Sequence, residues 1–406
     1  MMCKKVCLLI ACFFYITIFT GCTPEHSKRE LNSIAIVMGL GLDLARPEND
    51  IPFEEGRLHV TAQVVRTGSL NNGNSGSGGP SNAADAMYWN LTMEGDDLYP
   101  MLRGSVQQSN RNLYISHNQV ILFGQDLAQD GLAQFMDYLF REREMRYNVL
   151  LAVSECPAGQ LLAISPSLEN LPAQEIAKLL KIQARNAEAP TESLFDFAVD
   201  MKTGKKAAVL PLINAQKEEG RETFYVDGCA VFKDWRMVGK LNASETRGFL
   251  WTSGDIESTV FTVPVARNRI SLGVTGKKGN MHVTVKENAG IETLLVQFEV
   301  SADAVVGHMN GVYDFHQRDS LEKIQLACSM LIGEEIQMAI EKSRELNSDL
   351  FGISEHLERY HPSVWERIEE NWEEYFKGVT YEVSVTSHVR RTGSLVDPVL
   401  DEGAGL

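Results

Sequence analysis

The chain has 406 residues, 44% of them hydrophobic and 23% charged, enough for two or three domains with substantial cores. That apolar content excludes a collagenous or wholly disordered chain. Its 38 Lys and Arg against 54 Asp and Glu leave a net charge of −16, and an acidic surface repels a phosphate backbone, so nucleic acid is not an expected partner.

The N-terminus reads as an export signal: the basic pair Lys4-Lys5, an apolar run from Val6 to Phe19, then Phe19-Thr20-Gly21-Cys22. The run is shorter than the about 20 residues a helix needs to cross a bilayer, and no later segment is long and uncharged enough. No membrane-spanning helix is therefore expected once residues 1–21 are cleaved. A cysteine directly after small residues resembles the lipobox of bacterial lipoproteins, which implies a diacylglyceryl group on the Cys22 thiol. The blander alternative is an ordinary signal peptide with a cysteine nearby. Each buried acyl methylene contributes ~0.8 kcal/mol, so two acyl chains can hold a soluble body at a membrane. Cleavage also removes Lys4 and Lys5, and the acidic remainder gains nothing overall from anionic lipid, so the lipid would have to do the anchoring.

Of the seven cysteines, Cys3, Cys7 and Cys12 lie in the signal and Cys22 would be modified. Cys156, Cys229 and Cys328 remain, too few and too widely spaced for a disulfide framework, and buried free thiols are expected.

After a polar lead, Leu31 to Asp43 is a continuous apolar run ending in Gly-rich chemistry, which predicts a buried strand. His59 to Arg66 predicts a second strand. The Gly, Ser and Asn-rich stretch 67–82 has too little apolar surface to offset its ordering entropy. Ala86 to Met93 and Asn112 to Phe123 predict strands around a short helix from Leu98 to Gln108. Leu127 to Glu144 places Leu132, Phe135, Met136, Leu139 and Phe140 on one face of a helix, and Tyr147 to Val153 returns as a strand. Helices are expected at Ala173 to Arg185 and Ser193 to Lys202, with Pro211 closing that region. Thr223 to Phe232 and Arg236 to Leu241 flank Lys233-Asp234-Trp235 as a hairpin.

Beyond Ser258 four strand-like runs follow: Thr259 to Val265, Arg269 to Thr275, His282 to Glu287 and Glu292 to Val300, with Gly276 to Asn280 read as a turn. Leu321 to Leu346 predicts a long helix. Pro362 starts another, where it costs no hydrogen bond, carrying Trp365, Ile368, Trp372 and Phe376 as a core stripe with Glu366, Glu369, Glu370, Glu373 and Glu374 on its solvated side. Thr380 to Val389 closes the chain's last domain as a strand.

The hairpin region is too small to bury a core alone, so segment 22–58 is expected to pack with 200–257 as one discontinuous domain. An α/β unit at 59–199 and an α+β unit at 258–396 complete the body, and 397–406 is a tail. Arg-Thr-Gly-Ser-Leu occurs at Arg66 to Leu70 and at Arg391 to Leu395, each at a strand exit; shared turn chemistry explains this better than a repeat architecture.

The search for reaction chemistry comes back empty. A phosphate loop fails because Val199 precedes Gly204-Lys205, and Ser271 precedes Gly276-Lys277, where the first Gly belongs. Gly39-Leu40-Gly41 is an incomplete dinucleotide fingerprint, with Leu44 in place of its last Gly. Gly76-Ser77-Gly78 lacks the flanking strand of a serine-hydrolase elbow. The nine His have no metal-ligand spacing, and His117 inside an apolar strand reads as structural. Neither catalytic residues nor a cofactor or metal site is expected.

Several runs taken together resemble the Ger(x)C family of spore germination lipoproteins, the C subunits of nutrient germinant receptors. They are Arg29 to Asn32 with the strand to Asp43, Asn112 to Gly124, Phe140 to Arg146, Asp227 to Gly239, Glu245 to Trp251, Asp349 to Gly352 and Trp372 to Phe376. Arg141-Glu142-Arg143 stands where an Arg-Asp-Pro-like sequence is more usual. The resemblance implies a three-domain α+β protein of mixed or antiparallel sheets with flanking helices, anchored by lipid on Cys22 at the outer face of the spore inner membrane. It implies multispanning A and B subunits as partners and no enzymatic activity. A lipoprotein that binds a small germinant or solute directly is the second reading, and an exported hydrolase the third.

Overall fold

A computed structural model describes residues 33–45, 58–66, 87–253, 256–288, 291–310 and 319–390. Cys22 and its signal, the 67–82 stretch, Thr67–Leu70 and Arg391–Leu395 of the repeated pentapeptide, and the 397–406 tail lie outside the described residues.

The protein is α+β, built on two sheets. In chain order the first part runs β1 (Ile34–Leu44), β2 (Leu58–Val65), β3 (Tyr88–Gly95), α1 (Leu98–Gly104), α2 (Val106–Ser109), β4 (Asn112–Tyr114), β5 (Val120–Gly124), α3 (Gln125–Asp130), α4 (Ala133–Arg141), β6 (Leu150–Ser154), α5 (Ala158–Leu161), α6 (Pro172–Ile182) and α7 (Leu194–Thr203). Then come β7 (Ala208–Glu218), β8 (Arg221–Lys233), β9 (Arg236–Leu241) and α8 (Ala243–Ser253). The second part is β10 (Thr259–Val265), β11 (Asn268–Asn288), β12 (Ile291–Asn310), α9 (Ser320–Glu345), α10 (Ile353–Tyr360), α11 (Pro362–Ile368), α12 (Trp372–Lys377) and β13 (Thr380–Arg390).

The first sheet has the order β3-β2-β1-β5-β6-β7-β8-β9, with β4 also on β1. Strands β1, β5 and β6 run parallel at its centre, and parallel strands need helices on both faces. Leu40, Leu42, Ile121 and Phe123 pack with Phe135 and Leu139 of α4 and Phe197 of α7. Val120, Leu122 and Ala152 pack on the opposite face with Ala158 of α5 and Ala173, Ile176 and Leu180 of α6. Gly39 and Gly41 sit under those helices: a Cβ on Gly39 would lie 2.6 Å from the Ala173 Cβ, and one on Gly41 3.2 Å from Ala158. These glycines serve helix-to-strand packing, which accounts for the partial dinucleotide fingerprint.

The early strand does not pair with the hairpin β8–β9. It pairs with β2, β4 and β5, and β5, β6 and β7 stand between it and the hairpin. An apolar run buried on both faces belongs at the centre of a parallel sheet rather than beside a hairpin. The run Asn112 to Phe123 is also broken, by a 3-10 turn at Ile115–His117. Leu127 to Glu144 divides into α3 and α4 at Gly131, whose φ of +136° favours glycine. Pro211 lies inside β7, at a bulge in the β7–β8 register, one of the few places a strand tolerates a residue without an N–H.

The second sheet has the order β10-β11-β12-β13. Gly276 to Asn280 is continuous strand, paired with Asp303 to Glu299 of β12. Gly279 is required there because a Cβ would lie 2.8 Å from the Trp251 carbonyl. Helix α9 presents Ile324, Cys328, Ile332, Ile336 and Ile340 to a core shared with β10–β13, α8 and one face of β7–β9. The helix expected from Pro362 is two, α11 and α12, separated by a 3-10 turn at Glu369–Asn371. Its stripe is core: Trp365, Ile368 and Phe376 are buried and Trp372 packs against them. β13 then returns parallel to β12.

Candidate functional site

Several of the residues weighed for chemistry are used for structure, whereas His117 is not inside a strand and Gly76-Ser77-Gly78 lies outside the described residues. Gly204 takes φ +63° and ends α7, while Lys205 pairs with Glu358. The Lys277 ammonium donates to the Leu250 carbonyl near the end of α8. His117 is exposed on its 3-10 turn, its ring 5.8 Å from that of Tyr114. Cys156, Cys229 and Cys328 are free thiols, and burial pushes the Cys229 thiol up to about 12. Among the described residues no group of three or more His, Cys, Asp or Glu is placed to hold a metal.

What the structure does assemble is a buried ionic junction between the two sheets. Asn242 and Glu245 form a reciprocal cap at the start of α8, with Glu245 N donating to Asn242 Oδ1 at 3.0 Å and Asn242 N to Glu245 Oε2 at 2.8 Å. One turn on, Arg247 Nε and Nη2 donate to Glu335 Oε1 of α9 at 2.9 and 2.5 Å. Trp251 Nε1 donates to Glu335 Oε2 at 2.9 Å. Glu335 is thus satisfied on both oxygens at 2% side-chain exposure. Between these contacts Gly248 lets the helices touch, since a Cβ there would lie 1.9 Å from the Glu335 carbonyl oxygen. Arg247 Nη1 also faces Glu188 at 3.6 Å. Burial, with Asp227 and Glu335 nearby, pushes the Glu188 carboxyl up against the pull of Arg247.

A second strap lies beside it. Asp349 caps α10, accepting from Ile353 N at 3.0 Å and Ser354 N at 2.8 Å. Its backbone carbonyl accepts from Ala207 N at 2.7 Å, and the Ser354 hydroxyl donates to the Lys205 carbonyl. Burial pushes the Asp349 carboxyl up to about 6, although those amides favour its charged form. Lys233, at the end of β8, reaches Glu373 of α12 at 2.5 Å.

Four of the runs that carry the family resemblance meet at this junction. Asp227 to Gly239 forms the hairpin, Glu245 to Trp251 is α8, Asp349 to Gly352 caps α10, and Trp372 to Phe376 holds Glu373. Sequence reasoning missed Glu188 and Glu335. The available signal was Glu335 itself, a charge set between Ile332 and Ile336 on the apolar face of α9.

Asn112 to Gly124 and Phe140 to Arg146 meet instead at the edge where the parallel strands begin. There a shallow, open hollow of about 30 Å3 is lined by Leu102, Arg103, Asn112, Tyr138, Glu142 and Glu144 among others. Glu142 is its polar anchor, accepting from the Tyr138 hydroxyl at 3.2 Å and from Glu144 N at 3.3 Å, with Arg103 at 3.5 Å. Burial, then Glu142, pushes the Tyr138 hydroxyl upward.

A family described as "Spore germination protein N-terminal domain" matches residues 27–215, and "Spore germination B3/GerAC like, C-terminal" matches 227–393. Similar proteins include spore germination protein KC of Bacillus subtilis, 22% identical over 98% of each chain. Spore germination protein YndF of the same species is 23% identical over 94% of each, and spore germination protein GerQC of Bacillus cereus is 21% identical over 72% of this chain and 79% of that one. The crystal structure of the GerBC protein shares the fold, with a TM-score of 0.55 and 17% identity over 86% of this chain and 97% of that chain. With both family regions present in order and together covering most of its length, this chain belongs to the Ger(x)C family of spore germination proteins.

Proposed function

We propose that the protein is the lipid-anchored C subunit of a nutrient germinant receptor, held at the outer face of the spore inner membrane through Cys22. It assembles there with membrane-embedded A and B subunits and performs no catalytic step itself. The observation that carries this reading is the match of both family regions, and four of the runs that carry the resemblance meet where the two sheets join. A protein built this way offers rigid surfaces to partners. Among the described residues no helix is long and apolar enough to cross a membrane; in this reading the attachment is the acyl group on Cys22.

Cys22→Ala tests the anchor. The variant is expected to move from the membrane to the soluble fraction and to impair nutrient germination; full retention in the membrane would sink the anchor. Co-purification with the A and B subunits after membrane solubilisation tests the assembly.

A second reading, direct capture of a small germinant or solute, draws on the hollow at Arg103, Tyr138 and Glu142, where a cation, a carboxylate and a phenol converge. Calorimetric titration of the protein with common germinants separates the two: heat that disappears in Arg103→Ala favours capture.

A further inference from the structure

Tyr147, Phe195 and Val199 are three of the exposed large hydrophobic side chains. They are 45%, 54% and 42% exposed, yet they form one surface rather than scattered side chains. Phe195 N donates to the Tyr147 carbonyl at 3.0 Å, and the Tyr147 ring lies 5.1 Å from that of Phe140. Val199 follows Phe195 by one turn of α7. Exposed Arg143 and Arg146 lie in the loop leading to Tyr147, and among the described residues neither has an acidic group within ion-pair distance. Two of the acids nearby are ion-paired, Asp137 with Arg141 at 2.7 Å and Glu142 with Arg103 at 3.5 Å, while Asp196 keeps its charge and accepts from the Ser193 hydroxyl at 2.5 Å. Arg143 and Arg146 thus give this corner two cations without an ion pair among the described residues, on a chain whose overall balance is acidic.

The corner is also where the N-terminal segment enters the fold. β1 begins at Ile34, paired with Asn112, and Asn112 lines the same hollow as Glu142 and Glu144. β1, β5 and β6 run parallel, so their first residues share one edge, and β6 starts three residues after Tyr147. Eleven Cα steps separate Cys22 from Ser33, a reach of at most about 40 Å.

We propose that this corner, carrying Tyr147, Phe195, Val199, Arg143 and Arg146, is the face that the protein lays on an anionic lipid bilayer. The inference rests on the anchor reading, because the tether is what brings this edge to the membrane. Aromatic rings with a polar tip or rim suit the water–lipid boundary, and a basic side chain gains only when it sits within about 10 Å of the headgroup charge. The acyl chains supply attachment and the corner supplies orientation.

The test uses the full acylated chain on vesicles of phosphatidylcholine and on a two-to-one mixture of phosphatidylcholine and phosphatidylglycerol. Flotation reads the anchor, and amide hydrogen exchange reads the corner. On the mixed vesicles, segments 141–149 and 194–200 are expected to exchange about tenfold more slowly than on phosphatidylcholine alone, from two arginines acting on anionic lipid. The double variant Arg143→Glu, Arg146→Glu should erase that difference and leave flotation and the rest of the exchange map unchanged. Phe195→Ser should weaken protection on both vesicles. A chain that floats but exchanges equally on both vesicles overturns the corner and spares the anchor. Protection that appears only when membrane-spanning partner proteins are added overturns the bilayer as the occupant. A chain that floats on neither vesicle overturns the anchor and, with it, the orientation drawn from it.

Discussion

In β5 the neighbours Ile121 and Leu122 are both buried, one under α4 and α7, the other under α6. In β10 the neighbours part company: Phe261 and Val263 face α9 and the shared core, while Val260 is 71% exposed and Thr262 and Pro264 are open to solvent. The first sheet is a filling between two helical layers, and the second is a wall with helices on one side only. The contrast follows from strand direction. A parallel centre is made by crossover helices that cover both faces, whereas antiparallel β10–β11–β12 needs only one covered face. A substitution on the first sheet therefore disturbs a core whichever way its side chain points, and on the second the outcome depends on parity.

Four measurements would break or sharpen that contrast. The largest effect is expected where the two sheets are joined. Glu335→Ala strands Arg247 and the Trp251 N–H in a buried site, and breaking such a pair costs about 3–5 kcal/mol; urea unfolding should show it, and a loss below 1 kcal/mol would mean the sheets are held together some other way. Next, Ile121→Ala and Leu122→Ala should each cost about 2–5 kcal/mol. By contrast, Thr262→Ala should stay within about 0.5 kcal/mol, as surface changes do. Equal costs for Leu122 and Thr262 would erase the distinction.

Asp349 gives a pH-dependent test. Its folded-state acidity is shifted up to about 6, so the folded protein holds the proton more tightly than the unfolded chain. Its contribution is present in full below about pH 4 and is lost as pH rises through about 6, amounting to about 3 kcal/mol. Comparing stability against pH for the protein and for Asp349→Asn should reveal that slope as the difference between two curves; parallel curves would refute it. A small effect is expected of Lys233→Ala, which removes a half-exposed ion pair with Glu373 and should cost less than about 1 kcal/mol, with the remaining difference shrinking in high salt.

Much of the architecture was readable where local chemistry and tertiary use agree. The uninterrupted run ending at Asp43 is a central strand. Lys233-Asp234-Trp235 is a hairpin turn, and Asp234 and Trp235 take the positive φ values, 50° and 63°, that close hairpins require. Reading failed where a residue with turn chemistry was needed for another reason. Gly279 makes room for the carbonyls at the end of α8, and Pro211 sits at a bulge. The junction was invisible because Arg247 and Glu335 are 88 residues apart, and no periodicity links them. Arg143 and Arg146 were hidden by bulk charge, since a total of −16 says nothing about where individual cations stand.

The last strand brings one more consequence. β13 joins β12 over eleven positions, from Leu295 opposite Thr380 to Val305 opposite Arg390, and it does so after the chain has travelled through four helices. Until residues 380–390 arrive, β12 has a bare rim of amides and carbonyls open to any extended segment, its own or a stranger's. A premature stop codon anywhere within those helices would therefore yield more than a shortened subunit: it would leave a sticky template, cleared by proteases or lost to aggregation.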